Sequence, residues 1–214
     1  MNKLEINLTY DLICPWCWIA ERRLRRAVDE LGLSDSVSVR FTPYELNPTM
    51  PAEGMDRKAY RTLKFGSWPR SQAMDVHVAD TGRADGLEFR YDAVERTPNT
   101  LLAHRLIWFA QREGDASGLV DALFAAYFRD GRDVGNANVL VEIAAEVGLD
   151  RDAVEAFLAS EEGVAGVRSL EADANRRGVV SVPSFRIGST VISGAQPVVV
   201  FRDALNEALG ATAE

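Results

Sequence analysis

Period-two alternation, the mark of half-buried strands, occurs only near the two ends of this chain, and a long stretch of helical patterning separates the ends. Leu4, Ile6, Leu8 and Tyr10 alternate with Lys3, Glu5, Asn7 and Thr9, and Val37, Val39 and Phe41 repeat the pattern up to Pro43. Between these runs, Pro15 to about Leu31 reads as helix, with proline suited to a first turn and Gly32 as stop signal. The chain thus opens with a predicted βαβ unit. After Gly178 the strand pattern returns. Ser184 to Ile187 and Thr190 to Ser193 read as a hairpin turning at Gly188-Ser189, and Pro197 opens a last helix with Val199, Val200, Ala204, Leu205 and Leu209 as its apolar face.

The middle is predicted as helix after helix: Met55 to Thr81, Asn99 to Glu113, Ser117 to Arg129, Ala137 to Val147, Asp150 to Ala159 and Glu162 to Arg177, broken by Gly- and Asp-rich punctuation. Leu102, Leu106 and Phe109 form one apolar stripe and Leu140, Ile143, Ala144 and Val147 another, which is core material without assigned chemistry. The expected division is a discontinuous α/β domain, 1–51 with 178–214, and an inserted helical domain, 52–177.

A formal charge of −8 argues against a surface that tracks phosphates, so no nucleic-acid partner is expected. No 18-residue apolar segment exists, and "MNKLEINLTYDL" lacks the apolar core and cleavage site of a signal peptide. A cytoplasmic protein without a membrane partner is the expectation. The chain holds two cysteines, Cys14 and Cys17, in Cys-Pro-Trp-Cys directly after the first strand. In a reducing compartment so close a pair signals catalysis or metal more often than a structural link.

Placed at a strand-to-helix junction, Cys14 faces unpaired backbone N–H groups and the positive end of the helix dipole, which favour thiolate. Cys14 is therefore the candidate nucleophile. Cys17 shares the core-facing stripe with Leu24 and Leu31 and is the candidate resolving thiol. Arg22, Arg23, Arg25 and Arg26 lie toward the other end of that helix, where they are expected to complement the dipole. A bridge across so short a loop restrains the unfolded chain by only about 2 kcal/mol. Zinc would need four ligands, and only His77 and His104 supplement the cysteines, so no metal is expected. Each histidine reads as a helix or surface residue, and Glu53, Asp56, Asp75 and Asp80 as a solvated acidic face.

A second element, Ser181-Val182-Pro183-Ser184-Phe185, precedes the hairpin. On sequence alone the Val182-Pro183 bond would be trans, since only about 5–6% of X-Pro bonds in folded proteins are cis. Strand, CxxC, helix, strand, helical insertion, "SVPSF", hairpin and final helix together resemble the thioredoxin fold in its DsbA-type form. That resemblance implies a cis Val182-Pro183 bond beside the active dithiol and a Val182 backbone able to pair with an extended substrate. "DLICPWCWIA", "ELNP", "TPNTLLAHRLI", "SVPSF" and "ISGAQP", in this order over nearly the whole chain, are similar to the FrnE-like branch of the family. Related kappa-class glutathione transferases and 2-hydroxychromene-2-carboxylate isomerases carry serine in place of Cys14, and a Ser-Asp pair where Ala195-Gln196 stand here.

The resemblance implies a thiol–disulfide oxidoreductase with no bound cofactor, its redox group being Cys14-Cys17 itself, with glutathione as a candidate co-substrate. The substrate is expected to be a protein or small-molecule thiol or disulfide, and the chain a monomer or homodimer. Two alternatives stand beside it: a glutathione-dependent isomerase or transferase acting on an aromatic or polyketide-like molecule, and a non-catalytic, chaperone-like module. Pro15, Trp16, Val182, Pro183, Asn47 and Gln196 are candidate substrate-binding residues, with turn or cap roles the alternative for Asn47, Asn99 and Gln196. Phe65, Trp68, Trp108 and Phe128 face either the same cleft or the core.

Overall fold

The structure is a computed structural model and describes residues 3–210. A four-stranded sheet of order β2-β1-β5-β6 joins the two ends of the chain. Strand β1 (Leu4–Tyr10) pairs in parallel with β2 (Val37–Pro43) and antiparallel with β5 (Ser184–Ile187), while β6 (Thr190–Ser193) completes the expected hairpin. Leu8 opposes Phe185 across the β1–β5 pair, and the Phe185 ring meets Phe201 edge-on at 4.9 Å. Phe201 lies on α9 (Val198–Gly210), which packs against α1 (Pro15–Glu30).

The alternation read in β1 holds at its start and fades at its end. Leu8, Thr9 and Tyr10 are all buried, because the segment from Arg177 to Ser181 shares a cavity wall with Glu5, Asn7 and Thr9 and screens that second face. A central strand covered on both sides loses the polar half of its pattern.

Between β2 and β5 the chain is helical, with one small exception. The predicted helix from Met55 to Thr81 is instead a short ribbon and two helices. Met55–Asp56 (β3) pair with Arg96–Thr97 (β4), α2 spans Arg57–Phe65 and α3 spans Trp68–Ala84. The break has a local cause: Gly66 takes a left-handed conformation (φ 88°) and closes α2, then the Ser67 side chain accepts from the Arg70 N–H, with Pro69 in the first turn of α3. Gly54 permits the ribbon, since a Cβ there would come within 2.6 Å of the Thr97 carbonyl oxygen.

Helices α4 (Leu101–Glu113), α5 (Ser117–Phe128), α6 (Ala137–Glu146), α7 (Arg151–Ala159) and α8 (Val164–Arg176) follow the sequence expectation to within two residues at each end. They are fastened to α1 by Trp18, whose indole N–H donates to Asp121 Oδ1 at 2.8 Å while its ring stacks with Phe124 and Phe128. No helix among the described residues is long and apolar enough to cross a membrane.

The four arginines of α1 do not serve its C-terminal dipole; its last turn holds no basic residue. Each is drawn to a carboxylate: Arg22 to Asp121, Arg23 to Asp85, Arg25 to Glu21 and Arg26 to Glu30. Arg23 also donates to the Ala195 carbonyl at 2.7 Å, which ties α1 to the approach of α9. Directional partners within reach outcompete a diffuse dipole.

Candidate active site

Cys14 is the N-cap residue of α1, extended (φ −93°, ψ 106°) and without a side-chain cap bond, and Pro15 begins the first turn. Its own N–H donates to the Asp11 carbonyl at 3.0 Å, and its carbonyl accepts from Cys17 N–H at 3.0 Å. This tight turn brings Cys14 and Cys17 to 3.4 Å. Neither is part of a disulfide here. The pairing of Thr9 with Ser184 across β1 and β5 places the next element beside the thiols. The Val182-Pro183 peptide bond is cis, and Cys14 Sγ lies 3.8 Å from the Val182 carbonyl oxygen.

Cys17 is wholly buried, as its place on the Leu24 stripe requires. Burial pushes its thiol well above the ordinary range, and the hydrogen bond and charge of Cys14 push the same way. Cys14 is less open than a surface nucleophile, at 6% exposure. What it reaches is a cavity of about 280 Å³ between the start of α1 and helices α2, α3 and α5. Pro15 and Trp16 line this cavity with Cys14, and Arg57, Tyr60, Arg61, Lys64 and Phe65 of α2 form the facing wall. A second cavity of about 330 Å³, on the Glu5-Asn7-Thr9 face of the sheet, contains neither cysteine.

Of the acidic face expected from Glu53, Asp56, Asp75 and Asp80, three residues are exposed and Asp75 is buried. Its two carboxylate oxygens each accept from a guanidinium at 2.6 Å, Arg57 on one side and Arg61 on the other. Arg57 also sits over the Tyr91 ring at 4.9 Å from its centroid. Asp56 caps α2 through the Ala59 N–H. Burial of Asp75 is tolerated because both of its oxygens are matched by charge-assisted bonds.

The predicted binding residues do not all meet. Val182 and the buried Pro183 flank Cys14. Asn47 stands behind the cavity wall, where its Oδ1 accepts from the Tyr60 hydroxyl at 2.7 Å and from Lys64 Nζ at 3.4 Å. Gln196 is exposed at the approach to α9, its Nε2 donating to the Ser193 carbonyl at 2.9 Å, and it does not line the cavity. Asn99 bonds the Met50 carbonyl and the Leu101 N–H, a local fastening at the start of α4. Phe65 and Phe128 line the cavity; Trp68 borders a neighbouring one, and Trp108 stacks on Phe157. His77 is exposed, its ring 5.7 Å from that of Trp16.

Sequence reasoning passed over the interior behind the thiols. Asp11 is completely buried; one oxygen accepts from the Leu46 N–H at 2.8 Å and the other lies 3.2 Å from His104 Nε2. His104 is buried too, and its Nδ1 has no partner. Nearby Glu45 is pushed up to about 7, first by burial and then by the Glu171 carboxylate, with His104 opposing. Burial pushes the Tyr10 phenol well up as well, helped by the charges of Asp11 and Cys17. The available signal was Asp11, a carboxylate between a core strand and a CxxC, but nothing local names its partner.

A redox-capable dithiol at a helix N-terminus, on a βαβ…ββα sheet with an inserted helical region, defines a thioredoxin-fold protein of the disulfide-exchanging type. The family model of the DSBA-like thioredoxin domain matches residues 5–206, and the chain belongs to that family. A probable DsbA oxidoreductase from Streptomyces coelicolor is 31% identical and superposes with a TM-score of 0.88 over 97% of this chain and 90% of its own. The cytosolic disulfide reductase DsbM from Pseudomonas aeruginosa, solved with GSH, shares the fold at 21% identity and a TM-score of 0.66, over 98% of this chain and 99% of its own. A 2-hydroxychromene-2-carboxylate isomerase shares it at 16% and 0.74, over 98% of each chain.

Proposed function

We propose that this protein is a thiol–disulfide oxidoreductase that works through Cys14 and Cys17 in the cytoplasm. The observation that carries this reading is the asymmetry of the pair: Cys14 at the helix N-terminus opens onto a cavity, while Cys17, 3.4 Å away, is sealed and held protonated by burial. Cys14 thiolate attacks one sulfur of a substrate disulfide, forming a mixed disulfide and expelling the other half as thiolate. Cys17 then gives up its proton and attacks Cys14 sulfur, which releases the second half and leaves Cys14-Cys17 oxidised. The same steps in reverse oxidise a dithiol. Pro15, Trp16, Val182 and Pro183 form the immediate surroundings of the reacting sulfur, and Asn47 supports the far wall.

Glutathione is a candidate co-substrate for returning the pair to its starting state, a reading supported by the fold shared with a disulfide reductase solved with GSH. A second reading, a glutathione-dependent isomerase on a small aromatic molecule, draws on the largely apolar cavity beside Cys14 and the fold shared with the chromene isomerase.

One pair of variants tests both. With Cys17→Ala, a Cys14 mixed disulfide should accumulate and be seen by intact mass spectrometry; with Cys14→Ser, reduction of a small aryl disulfide should fall to the uncatalysed background. Wild-type turnover in Cys14→Ser would reject the first reading. Isomerase turnover that survives loss of Cys17 would establish the second.

A further inference from the structure

The wall facing Cys14 has a charge that its own side chains leave unbalanced. Arg57 and Arg61 share one carboxylate, Asp75. Lys64, the third cation of the same wall, has no carboxylate within 4.0 Å among the described residues. Three cations against one anion leave two positive charges around this cavity, on a chain whose formal charge is −8. Elsewhere the arginines of α1 are each matched by an acid.

Lys64 is also held in place. Its ammonium donates to the Tyr60 hydroxyl at 2.6 Å, and the Tyr60 hydroxyl in turn donates to Asn47 Oδ1 at 2.7 Å, with a longer contact from Lys64 itself to Asn47 at 3.4 Å. Two of its three N–H donors are thereby committed, and the third is free for a ligand. Much of the remaining lining is apolar, including Trp16, Phe65, Met74, Val78 and Phe128, with hydroxyls entering it from Tyr91, Thr97 and Tyr127. At about 280 Å³ the space lies just below the range of roughly 300–1,000 Å³ usual for small-ligand pockets, enough for one modest group and too small for a folded partner's loop.

Resting on the oxidoreductase reading above, we infer that this cavity selects a small, apolar thiol fragment carrying one anionic group, such as an aryl or short alkyl carboxylate, as the half of the disulfide that stays on Cys14. In R–S–S–R′, Cys14 thiolate attacks the sulfur bearing R. The Cys14–S bond to that fragment forms, the original S–S bond breaks, and R′S⁻ leaves with the electron pair and takes a proton from water. R fills the cavity with its acid at Lys64. Cys17 then displaces RS⁻ from Cys14 and its proton passes to solvent. The protein dithiol is oxidised by two electrons and the substrate disulfide is reduced to two thiols. An uncharged R would cover Lys64 without replacing its water, and a cationic R would meet like charge, so both are disfavoured.

The test uses the reduced full-length chain in single-turnover stopped-flow with two aryl disulfides, the anionic dithiobis(nitrobenzoate) and the neutral dithiodipyridine. The quantity read is the ratio of their second-order rate constants. Lys64→Gln should lower the anionic-to-neutral ratio by about fivefold, the size of one exposed ion pair, and Lys64→Glu should lower it further. Lys58→Gln, on the same helix but outside the cavity lining, controls for the general field of the surface. An unchanged ratio in both Lys64 variants, or an equal fall in Lys58→Gln, overturns the inference and leaves the oxidoreductase reading standing. Failure of both disulfides to react through Cys14 in the unsubstituted protein overturns both.

Discussion

The two sides of the Cys14-Cys17 pair are built on opposite principles. In front, Cys14 meets a cavity where Asp75 is matched by Arg57 and Arg61, the Tyr91 hydroxyl is without a partner, and Lys64 stands exposed at the rim. Behind, Asp11, His104, Glu45 and Tyr10 are buried, and three of them keep a polar atom unpaired: the Tyr10 hydroxyl, Glu45 Oε1 and His104 Nδ1. A side meant to receive a ligand can leave charge unspent because water fills in until the ligand arrives. A sealed side has no such recourse, and there, as at Tyr91 and Tyr127 in the cavity wall, burial shows up as displaced proton affinities and as sensitivity to substitution.

That contrast can be broken most forcefully at Asp75. Asp75→Asn leaves two guanidinium groups facing each other at the cavity wall and should cost about 3 kcal/mol in urea unfolding, the scale of a buried ion pair deprived of one partner. A loss below about 1 kcal/mol would mean that water already carries most of the charge there. Next in size is His104→Leu, which strands one oxygen of Asp11 and should cost about 2 kcal/mol by the same measurement. If Asp11 is instead held mainly by the Leu46 N–H, the loss will be small.

The smallest effect is a matter of pH. Glu45 holds its proton up to about 7, above the value it has in the unfolded chain, so the folded state binds more protons across the interval between the two. Stability from this group is therefore fullest at low pH and is lost as pH rises toward 7. Glu45→Gln removes the penalty and should gain about 1 kcal/mol on the unsubstituted protein between pH 5 and pH 8. A difference that does not change with pH would show that Glu45 titrates normally.

What could be read from the sequence follows the range of the signal. The Cys-x-x-Cys turn, the stripe that buries Cys17 and the hairpin at Gly188-Ser189 depend on neighbours a few residues away, and the structure has them where the pattern put them. The break at Gly66-Ser67 was local too, and its stop-and-cap signal was present but absorbed into a longer helical reading. Asp75, by contrast, looks like any surface acid until Arg57 and Arg61 are folded over it, and His104 like any helix residue until Asp11 arrives from the end of β1. Pairings of this kind are created by packing, and residue type alone does not disclose them.

The register of β1 against β5 bears on how the protein is made. Strand β2 can pair with one edge of β1 soon after Cys14 is translated, but the other edge waits for Ser184–Ile187. While the helical region is being translated, the nascent chain therefore carries its dithiol beside an unpaired strand edge, an arrangement open to misjoining. The Val182-Pro183 segment that flanks Cys14 is translated only after the whole helical region, so a nascent chain halted before residue 182 would carry the dithiol and the α2 wall without that flank.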